Sequence, residues 1–217
     1  LEGDAVKILI PLLLLLFQYA PAGGHNPIGG GGACNLNPGT YTNIICINFN
    51  SDPIGTFFTA ATVGSYVGVK GTTGGADSSP SNNSGIAIDT LNTYSADQKA
   101  AIVSQLGVGG TPGVSGPIVR GDLSGNGYLY IINLGQVYKL TAGSGSLIVS
   151  GCPASGIGTS GDVYEIQVVG TTITCRDVTL GTSASGTDAS YSGGRPGFLI
   201  DSGGGTHLNL IPKFGAS

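Results

Sequence analysis

From Cys34 onward, apolar runs of four to eight residues alternate with clusters of Gly, Ser, Thr and Asn. The spacing, near ten residues with turn signals between, predicts an all-β sandwich of many short antiparallel strands. Candidate strands are 41–49, two short ones within 57–69, 86–88, 99–106, 115–120, 127–133, 136–140, 146–150, 162–169, 171–177, 195–201 and 207–211. Residues 71–85, rich in Gly, Ser and Asn, read as a loop. Ser95-Ala96-Asp97-Gln98 resembles a helix capping box, yet 99–106 reads as a strand because Ala101, Val103 and Gln105 alternate with Ile102, Ser104 and Leu106. Two hairpins stand out: 127–133 turning through Leu134-Gly135 into 136–140, and 163–169 turning at Gly170 into 171–175.

The first 24 residues follow another pattern. Ile8, Ile10, Leu12, Leu14, Leu16 and Phe17 belong to a ten-residue apolar run, too short to span a bilayer as a helix. It reads either as a secretory h-region ending at Ala20-Pro21-Ala22, or as a retained hydrophobic arm. Glu2 and Asp4 ahead of Lys7 weaken the signal reading. A retained leucine stripe needs cover from its own sandwich, a neighbouring subunit or a membrane surface; subunit burial is preferred, and a membrane span is not expected. Residues 25–33 are a Gly-rich tether, on which His25 is a solvated residue. The expected organisation is an arm (1–24), a linker (25–33) and a sandwich (34–217).

Composition narrows the class. Of 217 residues 40% are hydrophobic, enough for a core, and 40 are Gly without a collagen period. Only 9% are charged, against about 25% in ordinary domains, which suits a subunit of an assembly or a glycan-covered chain. The net charge is −4 and the eight Lys and Arg are scattered, so nucleic acid is not an expected partner.

The four cysteines lack C-x-x-C spacing and lie far from both histidines, which argues against zinc. Of three pairings, Cys34–Cys46 and Cys152–Cys175 are favoured because each closes a local hairpin or loop; four buried thiols are the alternative. If oxidised, they imply an oxidising compartment.

Five segments carry a family resemblance: Ile47-Asn48-Phe49-Asn50-Ser51-Asp52, Tyr94-Ser95-Ala96-Asp97-Gln98, Ser124-Gly125-Asn126-Gly127-Tyr128, Gly161-Asp162-Val163 with Val169-Gly170-Thr171-Thr172-Ile173, and Ser192 to Phe198. Over roughly 44–212 the chain resembles the concanavalin A-like lectin/glucanase superfamily, in particular the LamG-like domains of bacterial and phage surface proteins. The resemblance implies a jelly-roll sandwich of two antiparallel sheets. It departs after Cys175, where 177–181 run into Ser, Gly and Thr; an irregular loop is expected there.

Glucanases of that superfamily carry a Glu-x-Asp-x-Glu strand. Here the only glutamates are Glu2 and Glu165, and Gln167 stands two residues beyond Glu165. Without the paired carboxylates of a glycosidase, the chain reads as non-enzymatic and Glu165 as a solvated strand residue. No G-x-S-x-G elbow or P-loop occurs, and His207 is the only histidine of the sandwich. Asp122 to Gly127 mimics the start of a calcium loop, but Asn133 stands where the closing Glu belongs, so a turn is preferred and no metal or cofactor is expected. For sugar binding the candidates are Tyr128 and Tyr130 on one strand face, Tyr138 on the partner strand, and Arg120; core or cross-strand packing is the preferred reading of the tyrosines. Asn82 heads a glycosylation sequon. The sum is an extracellular, cell-surface or virion-surface structural protein, self-assembling with copies of itself or other subunits into a filament or decoration. The alternative is a carbohydrate-binding adhesion module with glycans as partners.

Overall fold

The computed structural model describes residues 45–49, 58–61, 63, 68–72, 75–79, 84–106, 113–155, 160–201 and 209–217. The arm, the linker, Cys34, Asn82 and His207 lie outside the described residues, and with them the Cys34–Cys46 pairing. No helix occurs among the described residues, and none is therefore long and apolar enough to cross a membrane.

Among the described residues, fifteen strands form two antiparallel sheets. One has the order β13 (Thr182–Thr187), β12 (Thr172–Asp177), β11 (Ser160–Val169), β6 (Gln98–Leu106), β15 (Asn209–Ala216), β4 (Gly75–Ser79), β3 (Gly68–Thr72), with β1 (Ile45–Asn48) also on β15. The other runs β10 (Ser144–Ser150), β9 (Gln136–Thr141), β8 (Gly127–Ile131), β7 (Ser115–Gly121), β14 (Arg195–Asp201), β5 (Ser84–Asp89), β2 (Phe58–Ala61). Both hairpins form: β8 pairs with β9, and β11 with β12 on either side of Gly170. The capping-box segment leads into β6, a strand held between β11 and β15.

Period-2 alternation builds the core between the sheets. Tyr164, Ile166 and Val168 of β11, with Ala100 and Ile102 of β6, pack in one cluster with Tyr128, Tyr130, Val119, Phe198 and Ile200 of the opposite sheet. Four rings, Phe49, Phe58, Phe198 and Phe214, meet in five pairs with centroids 5.1–5.8 Å apart, each tilted or edge-on. Such offsets suit the ring quadrupole.

The seven-stranded sheet is apolar on its outer face too. Ile86, Ile88, Ile118, Leu129, Ile131 and Leu199 form a second buried cluster, with Val63 and Tyr138 against it. This explains why 127–132 reads as a nearly unbroken apolar run rather than an alternating one.

Two expectations fail locally. The loop expected at 71–85 contains β4, which pairs with β3. The irregular loop expected after Cys175 is a turn followed by β13, a strand of Thr, Ser, Ala and Gly paired along its length with β12. Neither strand carries an apolar alternation; backbone pairing holds each in place, with a single alanine, Ala76 or Ala184, turned to the core.

Cys152 and Cys175 form a disulfide, with Cα atoms 5.8 Å apart. Its role differs from local closure: Cys152 follows β10 of one sheet and Cys175 lies on β12 of the other, so the bond staples the two layers. A disulfide suits an extracellular or lumenal compartment.

Candidate functional site

The four residues singled out for sugar contact divide among three environments. Arg120, the penultimate residue of β7, lies in the left-handed region (φ 50°) and is only 4% exposed. Its Nε donates to Ala96 O at 2.9 Å, Nη1 to Tyr191 O at 2.5 Å and Nη2 to Gly170 O at 2.8 Å. Asp97 lies 3.9 Å from Nη2. One guanidinium thus ties together the β5–β6, β11–β12 and β13–β14 connections. Gln98 reinforces the knot: its Oε1 accepts from Arg120 N–H, and its Nε2 donates to Ser95 O and Gly194 O. Gly194 has φ +135°, and a methyl group there would lie 2.4 Å from the Arg120 carbonyl carbon, so only glycine lets this loop cross.

Tyr128 and Tyr130 share a face, but it is the inner one, and both are fully buried. Neither ring can stack on a sugar, which removes both as contact candidates and favours their core reading. The Tyr128 hydroxyl donates to Asp188 Oδ1 at 2.8 Å and accepts from Tyr191 N–H at 3.1 Å. Burial pushes its pKa up to about 12. Tyr130 donates to the carbonyl of Pro153, toward the other end of the sandwich. Tyr138 is paired with Leu129 and belongs to the outer face; half-buried, it donates to Gln136 Oε1 at 2.6 Å and stands across from Leu147, which is 50% exposed.

The end above Tyr128 supplies the accessible chemistry. Tyr191, partly exposed, packs its ring 5.3 Å from that of Tyr128. Its hydroxyl donates to Leu140 O at 2.5 Å and lies 2.9 Å from Thr141 Oγ1. Asp188 accepts from Ser190 N–H at 2.8 Å, and Lys139 Nζ lies 3.8 Å from its Oδ2 and 3.2 Å from Ser190 Oγ. Burial works to raise the Asp188 pKa, but the hydrogen bonds from Ser190 and Tyr128 and the Lys139 charge outweigh it, and the net shift is downward. The result is a phenol ring with an ammonium, a carboxylate and two hydroxyls around it. These are the groups that hold a polyhydroxylated ligand. Sequence reasoning missed Tyr191, Asp188, Lys139, Ser190 and Thr141. One signal was available: Asp188-Ala189-Ser190-Tyr191-Ser192-Gly193-Gly194 puts an aromatic ring inside a turn cluster, where no strand face can bury it whole.

The connection preceding Arg120's partners is also fixed. Buried Asp89 accepts from Leu91 N–H, Asn92 N–H, Asn92 Nδ2 and Tyr94 Oη. Burial, followed by this carboxylate, drives the Tyr94 pKa upward.

Glu165 is not solvated: it is 1% exposed and its Oε1 lies 3.2 Å from Arg176 Nη1. It sits mid-sheet beside the closed outer cluster of Ala101, Val103 and Val163, which is why water does not reach it. Asp122 folds onto its own turn, accepting from Ser124 N–H, Asn126 N–H and Asn126 Nδ2, so its carboxylate serves the turn. No cluster of three or more metal-ligating side chains occurs among the described residues.

No family model matches the chain, and no curated protein matches it in sequence. Solved structures do match in fold. The carbohydrate-binding module CBM66 from Bacillus subtilis is similar with a TM-score of 0.53 and 13% identity, over 74% of this chain and 91% of that one. The exoplasmic/lumenal domain of VIP36 in its Ca2+/Man3GlcNAc-bound form gives 0.51 and 9% identity, over 75% and 85%. Its metal-free form gives 0.50 and 10%, over 73% and 82%. At these identities the likeness shows the fold, a lectin-type jelly roll of two antiparallel sheets.

Proposed function

We propose that this chain is a non-catalytic, lectin-like module of a secreted or surface protein that binds carbohydrate at the loop end of the sandwich. The observation that carries the reading is the Tyr191 rim: a ring held against Tyr128, with Asp188, Lys139, Ser190 and Thr141 around it. Arg120 and Tyr128 act as positioning residues beneath it, and Tyr138 with Leu147 offers a secondary apolar platform on the outer face. The carbohydrate-binding module CBM66 and the saccharide-bound VIP36 domain lend support through a shared sandwich. The test is a glycan array with the full chain. Tyr191→Ala lowers the signal about five- to thirtyfold, since one stacked ring contributes on the order of 1–2 kcal/mol, while Tyr191→Phe retains most of it. A blank array, or binding untouched by Tyr191→Ala, rejects the site.

A second reading is a structural subunit of a filament or virion, with arm 1–24 and linker 25–33 as assembly elements of a sandwich at 34–217. The low charge and the leucine stripe favour it. Deleting 1–24 then abolishes assembly seen by electron microscopy and leaves the sandwich folded; an unchanged assembly rejects the arm's role.

A further inference from the structure

A sheet edge is a row of backbone donors and acceptors, and proteins normally blunt such rows with Lys, Pro, bulges or shortness. The edges here differ in this respect. β10 is bulged between Leu147 and Val149, β3 contains Lys70, and β2 and β1 have four residues each. β13 has none of these devices: six residues, Thr182-Ser183-Ala184-Ser185-Gly186-Thr187, with no charge, no proline and an unbroken register.

Its hydrogen-bond phase can be assigned. Asp188 N–H donates to Thr171 O at 3.0 Å, so 171 and 188 form a hydrogen-bonded pair, and along an antiparallel ladder such pairs alternate. Residues 182, 184 and 186 therefore direct their backbone groups to β12. Ser183, Ser185 and Thr187 direct N–H and C=O outward, and among the described residues no strand other than β12 pairs with β13. The short distance between Thr174 Oγ1 and Ser185 Oγ, 2.9 Å, fits a non-hydrogen-bonded pair, where side chains approach more closely. The side chains of Ser183, Ser185 and Thr187 are exposed, whereas Ala184 faces the core and Gly186 tucks against Val149.

We propose that β13 is a self-association edge. It pairs antiparallel with β13 of a second copy about a two-fold axis at Ser185 and joins the two eight-stranded sheets into one. The occupant follows from charge. In an isologous pair Ser185 faces its own copy and Ser183 faces Thr187 of the other chain. Any charge at the centre of this strand would meet its like, and the strand carries none. The pairing forms about six backbone hydrogen bonds and aligns hydroxyl side chains that bond across strands. It does not depend on the Tyr191 rim.

Amide hydrogen exchange on the full chain tests it. In the wild type, the outward amides of 183, 185 and 187 are protected at high concentration and lose protection on dilution, while the inward amides of 184 and 186 stay protected throughout. Ser185→Lys sets two ammonium groups face to face and removes the outward protection, weakening the dimer at least tenfold by sedimentation. Ser183→Lys combined with Thr187→Glu places opposite charges across the two-fold and retains it. Outward amides that exchange freely in the wild type at any concentration overturn the pairing. So does protection that survives Ser185→Lys, or that is lost in the doubly charged variant while 184 and 186 remain protected.

Discussion

The two ends of the sandwich are closed by different chemistry. At the end that carries the rim, a single buried guanidinium gathers three loops through their carbonyls, and Asp89 and Asp188 hold the turns beside it. At the opposite end the closure is covalent and phenolic: Cys152–Cys175 crosses between sheets, Tyr130 bonds Pro153 O, and Tyr164 packs 6.2 Å from Tyr130. Asp177, almost fully buried, caps the adjoining turn by accepting from Leu180 N–H. A network of charge-assisted bonds fixes loop shape to within a hydrogen bond's tolerance, which a recognition surface requires. A disulfide acts mainly on the unfolded chain and sets no loop shape. The difference places positional order at the rim and bulk stability at the far end.

Breaking the rim's anchor has the largest expected effect. Arg120→Ala leaves three carbonyls without their donor and is expected to cost about 4 kcal/mol in urea unfolding, with Arg120→Lys restoring only a minor part because an ammonium lacks the planar fork. Replacing Cys152 and Cys175 together with Ser is expected to cost about 3 kcal/mol for a loop of this length, while amide shifts at Tyr191 and Ser190 stay in place. Combining both changes gives additive costs to within about 0.5 kcal/mol if the ends are independent; a larger coupling refutes the division.

The phenols sharpen the comparison with pH. Burial raises the pKa of Tyr128, at the rim, and of Tyr164, at the far end, to about 12 each. An unfolded tyrosine ionises near 10. A folded pKa above the unfolded one means stability that is complete below pH 10 and lost as pH climbs toward 12. Alkaline unfolding should therefore set in over that window, and Tyr128→Phe and Tyr164→Phe should each reduce the loss. The smallest effect is acidic. The pKa of Asp188 is lowered, so its contribution is present above the ordinary carboxylate range and fades as pH falls through the folded value. Asp188→Asn flattens that part of the acid stability profile without altering the far end.

Strands with a core to face were legible from residue pattern. β8, β9, β11 and β12 alternate or run continuously apolar, and their turns at Gly135 and Gly170 carry positive φ. β4 and β13 were not, because strands made of small and polar residues are held by their neighbours' backbones and leave no periodic trace. The candidate site was legible only in part. Arg120 and Tyr128 do lie beneath the rim, but pattern alone could not reveal that they face inward.

What the sequence by itself determined is the layering: an uneven rhythm of apolar runs and glycine turns, few charges, and a cysteine pair joined as expected, all consequences of period-2 burial and local turn chemistry. Only the tertiary structure decided which face of each strand is sealed and which loops meet. Those depend on contacts between segments as distant as Arg120 and Tyr191, or Tyr128 and Asp188, whose separation no local propensity spans.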